Sequence, residues 1–382
     1  MKNFSIIKFI PLMFAFLTMA YVDLVGISVN YIKADFGLSD TMTNIFGSVL
    51  FFWFLVASVP TGMLMNMVGR RNTVAISTAI TCLAVVVPII NYSFASMMIS
   101  FVLLGIGNTM LQVSVNPLLA DMVPSNKLAM SITLGQFVKA VAAFLTPIIV
   151  IFCANHFETW RAVYPILAVL AVVPTFLLAI TKIEESEPAK NSGFIECLGL
   201  LKKPIIAILF SGILIHVGID VGVNITAPKI LIERLGFALE QAGYAVSLYF
   251  FFRIVTSFAG ALILAKVSAK KFFMYSVALM ILATAILFVA KNEYVIYMSI
   301  GMLGIGNANI FSIIFAKALQ AMPERKNEVS GLMVMGIAGG AIFPFLMGVA
   351  SDAVGSQNGA VAIIFACIAY LMFVSFKLDS SK

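Results

Sequence analysis

Apolar runs dominate the chain, and each ends at a short polar or basic connection. An α-helix needs about 20 apolar residues to cross a bilayer. Twelve stretches meet that length, at 6–32, 43–67, 73–92, 96–122, 128–153, 162–182, 204–231, 239–266, 271–290, 294–322, 328–351 and 357–377. Several exceed the minimum, which leaves room for tilt. The longest polar run, 183–203, begins Ile183-Glu184-Glu185-Ser186-Glu187-Pro188 and separates the first six stretches from the last six. The pattern predicts an all-α integral membrane protein: twelve transmembrane helices in two six-helix halves, 1–182 and 204–382, joined by a linker at 183–203. The first run follows Lys2 and Lys8 as a signal peptide would. It continues past Asp23 to Ile32 without a convincing cleavage site, so it reads as the first span.

The halves repeat one another. Leu104-Gly105-Ile106-Gly107-Asn108 recurs as Leu303-Gly304-Ile305-Gly306-Asn307, and 303 less 104 gives an offset of 199 residues. Pro124 and Pro323 keep the same offset. Internal repeats of membrane helices are a common way to build a carrier, with the substrate site expected at the seam.

Composition narrows the function. Hydrophobic residues make up 62% of the chain and charged residues 11%. A soluble domain carries about a quarter charged residues, so this chain has too few to cover a water-facing surface. The net charge of +7 would suggest a nucleic-acid partner in a soluble protein. Here the basic residues gather in loops. One set of loops and termini holds sixteen: Lys2, Lys8, Arg70, Arg71, Lys127, Lys182, Lys190, Lys202, Lys203, Lys266, Lys270, Lys271, Arg325, Lys326, Lys377 and Lys382. The opposite set holds five, Lys33, Arg161, Lys229, Arg234 and Lys291. The positive-inside rule then predicts cytoplasmic termini and a bacterial-type inner membrane, with no nucleic-acid partner.

Catalytic chemistry is not indicated. The cysteines Cys82, Cys153, Cys197 and Cys367 have no paired spacing, and no metal cluster, cofactor motif or nucleophile–base constellation stands out. Gly105-Ile106-Gly107 lacks the third glycine and the preceding strand of a nucleotide loop, which leaves close helix packing as its role. The two histidines, His156 and His216, lie far apart in sequence.

Between the second and third stretches, Gly62-Met63-Leu64-Met65-Asn66-Met67-Val68-Gly69-Arg70-Arg71 resembles the cytoplasmic loop signature of the major facilitator superfamily. Gly62 lets helices approach, Gly69 permits a tight turn, and the paired arginines suit an anionic membrane face. A degraded copy, Ala265-Lys266-Val267-Ser268-Ala269-Lys270-Lys271, stands at the equivalent place in the second half. On this reading Gly62, Asn66, Gly69, Arg70 and Arg71 are conformational residues.

Further segments resemble the fucose:proton symporter family. These are Leu111-Gln112-Val113-Ser114-Val115-Asn116-Pro117 with Leu134-Gly135-Gln136-Phe137, and Asn309-Ile310-Phe311-Ser312 with Ser330 to Met335 and Gly339-Gly340-Ala341-Ile342-Phe343-Pro344. The resemblance implies alternating access and sugar uptake coupled to protons, by a monomer. It also exposes departures. Gln112 stands where the family carries a Glu, so that proton carrier is missing. Gln136 matches a sugar-contacting Gln, whereas Lys139 replaces an Asn. The family's first-helix Asp falls at Gly26, with Asp23 about a turn earlier. Asp220 stands where Glu is common, and Ser257 where Arg is usual, with Arg253 a turn before it.

Four charges fall deep within spans: Asp23, Lys139, Asp220 and Arg253. An ionised side chain at the bilayer centre costs at least about 2.5–3.5 kcal/mol, so such groups face a cavity, a partner or both. Lys139 and Arg253 read as substrate-holding cations, with Gln136, Gln112, Asn108, Asn116, Asn224 and Tyr249 as polar or stacking companions. Asp23 reads as the proton carrier and Asp220 as its reserve, with the alternative that both acids are structural partners neutralising Lys139 and Arg253. Two cations favour an anionic sugar derivative, a sugar acid. Sodium coupling would need several oxygen ligands, and no cluster of them stands out. Two alternatives stay open. One is an exporter of drugs or metabolites from the same superfamily. The other is a neutral-hexose symporter in which Lys139 merely pairs with Asp23.

Overall fold

The computed structural model describes residues 6–38, 40–181, 183, 185, 193–237 and 239–378. Among the described residues there are helices and turns but no strand. In the first half the helices are α1 (Ile6–Met19), α2 (Val25–Phe36), α3 (Asp40–Val68), α4 (Arg70–Ile90), α5 (Phe94–Met122), α6 (Leu128–His156) and α7 (Val163–Ile180). A short α8 (Phe194–Gly199) lies in the linker. The second half holds α9 (Pro204–Leu235), α10 (Leu239–Ala242), α11 (Tyr244–Leu264), α12 (Ala269–Val289), α13 (Glu293–Asn307), α14 (Ile310–Ala321), α15 (Lys326–Met335), α16 (Gly339–Val354) and α17 (Asn358–Lys377). Among the described residues, ten helical segments are long and apolar enough to span a membrane, and the shorter apolar stretches Phe9–Val22 and Phe52–Val68 bring the total to the expected twelve.

The sequence repeat is a structural repeat. α4 covers 70–90 and α12 covers 269–289, while α5 covers 94–122 and α13 with α14 covers 293–321, all at the same offset of 199 residues. Their starts are fixed alike. Ser93 caps α5 by accepting from the Ser96 amide, and Asn292 caps α13 by accepting from the Tyr294 and Val295 amides. Such caps satisfy amides that the first helical turn leaves without partners.

Three spans are broken. The first bends through a 3-10 turn at Ala20–Leu24, the tenth is interrupted after Asn307, and the eleventh passes through a 3-10 turn at Gly336–Ala338. A break frees backbone carbonyls that an unbroken helix would satisfy itself, and polar side chains must then meet them.

By contact, the chain divides into two compact units. The first comprises Met1–Leu128, Gly135–Gly199 and Met322–Met335; the second comprises Ala129–Leu134, Leu200–Ala321 and Gly336–Lys382. The boundary therefore does not follow the linker alone, because α15 belongs with the first unit.

In the first unit α4 packs between α5 and α7, and α3 and α15 pack on α5 and on each other. Its apolar core includes Tyr21, Leu24, Phe46, Phe101, Trp160 and Tyr164. Small residues set the spacing. A Cβ on Gly105 would lie 2.8 Å from Trp53, and one on Gly107 would lie 2.5 Å from Thr81 Oγ1. At one end, Asp35 accepts from Tyr92 Oη (2.5 Å) and Trp160 Nε1 (3.0 Å), and the Arg161 guanidinium lies 4.4 Å from the centre of the Tyr92 ring. Those contacts hold the loops α4–α5 and α6–α7 to the end of α2.

In the second unit α9 packs against α14, α16 and α17, while α13 lies against α11 and α12. A Cβ on Gly304 would sit 2.6 Å from the Tyr249 carbonyl oxygen, and one on Gly306 would sit 2.7 Å from the Ser276 carbonyl oxygen. Backbone approaches this close hold α11 and α13 in one register, and that register carries the polar cluster described next.

Candidate functional site

The second unit concentrates its polar chemistry on three helices. α9 presents His216, Asp220 and Asn224 at four-residue spacing, hence on one face. α11 supplies Tyr249 and Arg253, again one turn apart. α13 ends at Asn307, where the tenth span breaks. Arg253 Nη1 donates to both Asp220 oxygens at 2.7 and 2.6 Å. Tyr249 Oη donates to Asp220 Oδ1 at 2.7 Å. Asn307 Nδ2 donates to Tyr249 Oη at 2.9 Å and to Asp220 Oδ1 at 3.3 Å. Asn307 Oδ1 lies 2.8 Å from His216 Nδ1. The Asp220 carboxylate thus receives bonds from three residues, and its ionised form is the one these donors suit.

The pair is buried but within reach. The Arg253 side chain is 26% exposed and that of Asp220 16%, whereas Tyr249 and His216 are 0% and 2% exposed. A polar solute can therefore approach the guanidinium while the hydrogen bonds behind it stay dry. One turn along, Asn224 Oδ1 is buried with no hydrogen-bond partner among the described residues. An orphaned acceptor inside a span is costly unless something comes to meet it.

The first unit answers with a line of amides on α5. Asn108 Nδ2 donates to the Met19 carbonyl at 2.6 Å, which is where the first span breaks. Gln112 Nε2 donates to Asn108 Oδ1 at 2.6 Å, and Asn116 Nδ2 donates to the Gln112 carbonyl at 3.2 Å. Asn116 Oδ1 is buried without a partner among the described residues. Asn108 and Gln112 are thereby committed to holding the break at Ala20–Leu24. Asp23 lies in that 3-10 turn, and its side chain is outside the described residues. On α6, Gln136 and Lys139 are half-buried one turn apart. The neighbouring Gly135 is fully packed against the Phe16 ring, which fixes how close α6 comes to α1.

All five loop-signature residues meet within the first unit. A Cβ on Gly62 would lie 2.7 Å from the Asn327 carbonyl oxygen, so α3 and α15 touch there. Asn66 Nδ2 donates to Glu328 Oε1 at 3.2 Å, and Asn66 Oδ1 accepts from Asn327 Nδ2 at 2.6 Å. Gly69 has φ +86°, a turn that glycine adopts without strain. Arg70 pairs with Asp121 and donates through Nε to Asn327 Oδ1 at 2.6 Å. Lys326 Nζ joins Asp121 at 3.1 Å. Arg71 donates to the carbonyls of Leu178 and Ala179 at 2.8 and 2.6 Å, closing the end of α7. Glu185 of the linker accepts from the amides of Arg70 and Arg71 at 2.6 and 3.0 Å.

Sequence reasoning missed several of these partners. Asp121, Asn327, Glu328 and Glu185 carry no motif of their own, and only position at a span end hints at them. His216 and Asn307 were missed as well. For Asn307 a signal existed, since the repeat makes it the counterpart of Asn108.

Twelve apolar spans, an internal repeat, broken helices and an ion pair inside the spans define a membrane carrier. The chain belongs to the major facilitator superfamily, whose sequence model matches residues 12–335 and 208–382. It is a multi-pass membrane transporter and not an enzyme. It is 24% identical over 366 residues to a glucose/galactose transporter of Brucella abortus biovar 1 (strain 9-941), covering 91% of this chain and 88% of the relative. A probable sugar efflux transporter of Helicobacter pylori (strain J99) is 21% identical over 230 residues, covering 58% of each chain. In fold the chain is similar to the E. coli fucose:proton symporter, with a TM-score of 0.86 at 16% identity over 99% of this chain and 100% of that one. It is also similar to a bacterial homologue of ferroportin, with a TM-score of 0.78 at 14% identity over 98% and 100% of the two chains.

Proposed function

We propose that this protein is a secondary active transporter that moves a sugar or sugar acid by alternating access, in symport with protons. The observation that carries the reading is the Arg253–Asp220 pair. It is an ion pair in the middle of apolar spans, partly exposed, with an unpartnered acceptor one turn away at Asn224. A purely structural pair would be packed over, whereas this one leaves a guanidinium face open to oxygen-rich solutes. Arg253 then takes substrate oxygens while Tyr249 holds the Asp220 carboxylate behind it. In the other unit, Lys139 supplies a point charge and Gln136 a hydroxyl-binding amide. Gln112, Asn108 and Asn116 hold the broken first span around Asp23, the proposed proton carrier.

Relatives support the substrate class and leave the direction open. The Brucella relative is called a glucose/galactose transporter and a Helicobacter relative a probable sugar efflux transporter. Purified protein should be stabilised against heat by its substrate, because a ligand that binds only the folded state adds stability. A panel of neutral hexoses and hexuronic acids, run on the wild type and on Lys139→Ala, separates the two open readings. Stabilisation by an acid that is lost in Lys139→Ala supports the anionic substrate. Stabilisation by neutral hexoses alone returns Lys139 to a pairing role with Asp23. No stabilisation by either class sinks the sugar reading. Uptake into proteoliposomes under an imposed pH gradient, repeated with a sodium gradient, assigns the ion and the direction. A monomer in the cytoplasmic membrane completes the proposal.

A further inference from the structure

We propose that His216 is the group that takes up the coupling proton in the second unit, positioned by Asn307 to replace the positive charge that Arg253 withdraws from Asp220 when substrate binds. The inference rests on the transport reading above and assigns a role to a residue that reading does not use.

The hydrogen-bond directions fix the chemistry. Asn307 turns its NH2 group towards two oxygens, Tyr249 Oη and Asp220 Oδ1. Its carbonyl oxygen must therefore be the atom facing His216 Nδ1 at 2.8 Å. An acceptor there requires a proton on Nδ1, which leaves Nε2 as the ring nitrogen able to bind another. His216 also sits one helical turn before Asp220 on α9, so an imidazolium would lie beside that carboxylate.

The charge count then decides when the proton arrives. With Arg253 on Asp220 the cluster is neutral, and a third charge on a 2% exposed imidazole would be unfavourable. Substrate oxygens that draw Arg253 away leave Asp220 ionised and without its cation inside the spans. A proton from the aqueous phase restores neutrality. It could go to the carboxylate or to the imidazole. Tyr249 and Asn307 still donate to the carboxylate after Arg253 leaves, and those bonds favour its charged form. The buried imidazole loses the repulsion of Arg253 and gains the uncompensated Asp220 carboxylate one turn away as its counter-charge, while Asn307 Oδ1 accepts from its Nδ1. One proton enters per substrate bound, and it leaves from Nε2 when Arg253 returns to Asp220. The step is a protonation and a deprotonation, with water as the source and the sink.

The surroundings permit this assignment. Besides Asp220 on its own helix, the described titratable neighbours are Tyr249 and Arg253 on α11. From α14 the Phe311 ring lies 6.3 Å from the imidazole, and Lys317 is six residues further along that helix, about 9 Å in axial rise. On α17, Tyr370 bonds Ser211 at 2.7 Å, more than a turn before His216, and Cys367 is buried three residues before it. From α16 the contacts on the face of α9 near His216 are apolar, with Phe343 against Gly218 and Met347 against Gly222.

The test uses the full chain in a His156→Gln background, which leaves His216 as its only imidazole. D-glucose and D-glucuronate serve as probes. Proton uptake on probe addition is read with a pH electrode in weakly buffered detergent solution. In proteoliposomes, probe exchange at equal pH is compared with uphill accumulation driven by a pH gradient. His216→Gln should keep exchange within about threefold, take up one proton fewer per probe bound, and accumulate at least tenfold less probe. Infrared difference spectra of the unmutated site, with histidine labelled with ¹⁵N, should show imidazolium ring bands on probe addition, a readout that needs no substitution at His216. A protonated-carboxyl band in place of those ring bands overturns the assignment. So does a His216→Gln protein that accumulates probe as well as the parent. If the parent exchanges neither probe, the sugar reading itself falls, and this inference falls with it.

Discussion

Asp121→Asn is the sharpest probe of how α15 is held in the first unit. The Asp121 side chain is 0% exposed, and it faces two cations: Arg70, whose side chain is 3% exposed, and Lys326, at 14%. Replacing the carboxylate by an amide removes the counter-charge that both cations share. Lys326 can draw back towards water along its flexible stem, but Arg70 cannot, because its Nε is fixed on Asn327 Oδ1 at 2.6 Å. Removing one partner of a buried pair costs about 3–5 kcal/mol, most of it the uncompensated charge that remains. Replacing both partners by apolar groups is far milder. The expectation is therefore an ordering, with Asp121→Asn the least stable and Arg70→Met/Asp121→Leu closer to the wild type. Thermal unfolding of purified protein in detergent reads it directly. The double-mutant cycle should return a coupling of at least about 1 kcal/mol, as residues in contact do. If Asp121→Asn melts with the wild type, or if the double variant loses the sum of both singles, the buried-pair reasoning is wrong.

Other positions give independent checks. Cys197 in α8 is fully buried, and its thiol is pushed up to about 11 by that burial, with the nearby Glu328 carboxylate adding to the effect. Because thiolate is the reactive form, its alkylation should climb roughly tenfold per pH unit well past pH 9, where an ordinary thiol near 8.5 levels off; a plateau at pH 9, read by peptide mass, counts against it. Gly69→Ala should cost about 1–2 kcal/mol, because φ is +86° there and the new Cβ would also approach Glu185 Oε2 at 3.2 Å; an unchanged melting temperature would contradict this. Gly304→Ala pushes a Cβ to 2.6 Å from the Tyr249 carbonyl oxygen and should cost about 1–3 kcal/mol while weakening probe binding. Gly348→Ala meets open space and is the matched control, so equal losses at both sites would refute a packing role for Gly304.

What the sequence made legible follows from what a linear pattern can encode. Apolar run length gives the spans, since the bilayer imposes one length on every crossing. The loop signature was legible because Gly62, Gly69 and Arg70 must stand in fixed register to let α3 meet α15 and then turn. Asp220 and Arg253 were legible as charges in the wrong solvent. Their pairing was legible only as an alternative to separate roles, because 33 residues and a chain reversal separate them. Asp121, Asn327 and Glu328 stayed hidden for a related reason: they matter through partners on other helices, and a single polar residue at a span end looks like a boundary. Nor does run length show that α15 belongs with the first compact unit while the rest of its span belongs with the second. The division lies at the 3-10 turn Gly336–Ala338, and an unbroken apolar pattern reads straight through it.

The repeat shows where the two halves have stayed alike and where they have parted. Gly105 faces Leu50 and Trp53, and Gly304 faces Tyr249, which stands 199 residues after Leu50. Gly107 faces Ser77 and Thr81, and Gly306 faces Ser276 and Met280, again at that offset. The packing is conserved within the chain because a glycine contact tolerates no added atom on either side. The chemistry is not bound in the same way. Asn108 spends its amide on the Met19 carbonyl, a repair of broken backbone, whereas Asn307 spends its amide on Tyr249 and an ionised Asp220. Leu50 and Tyr249 stand in register, and that one difference places a hydroxyl in the second half where the first half has a methyl. The shared scaffold thus supports a structural amide in one half and a charge-holding network in the other. Exchanging them tests this directly: Tyr249→Leu should impair coupling far more than Leu50→Tyr improves it, since the Tyr249 hydroxyl is bonded to both Asp220 and Asn307.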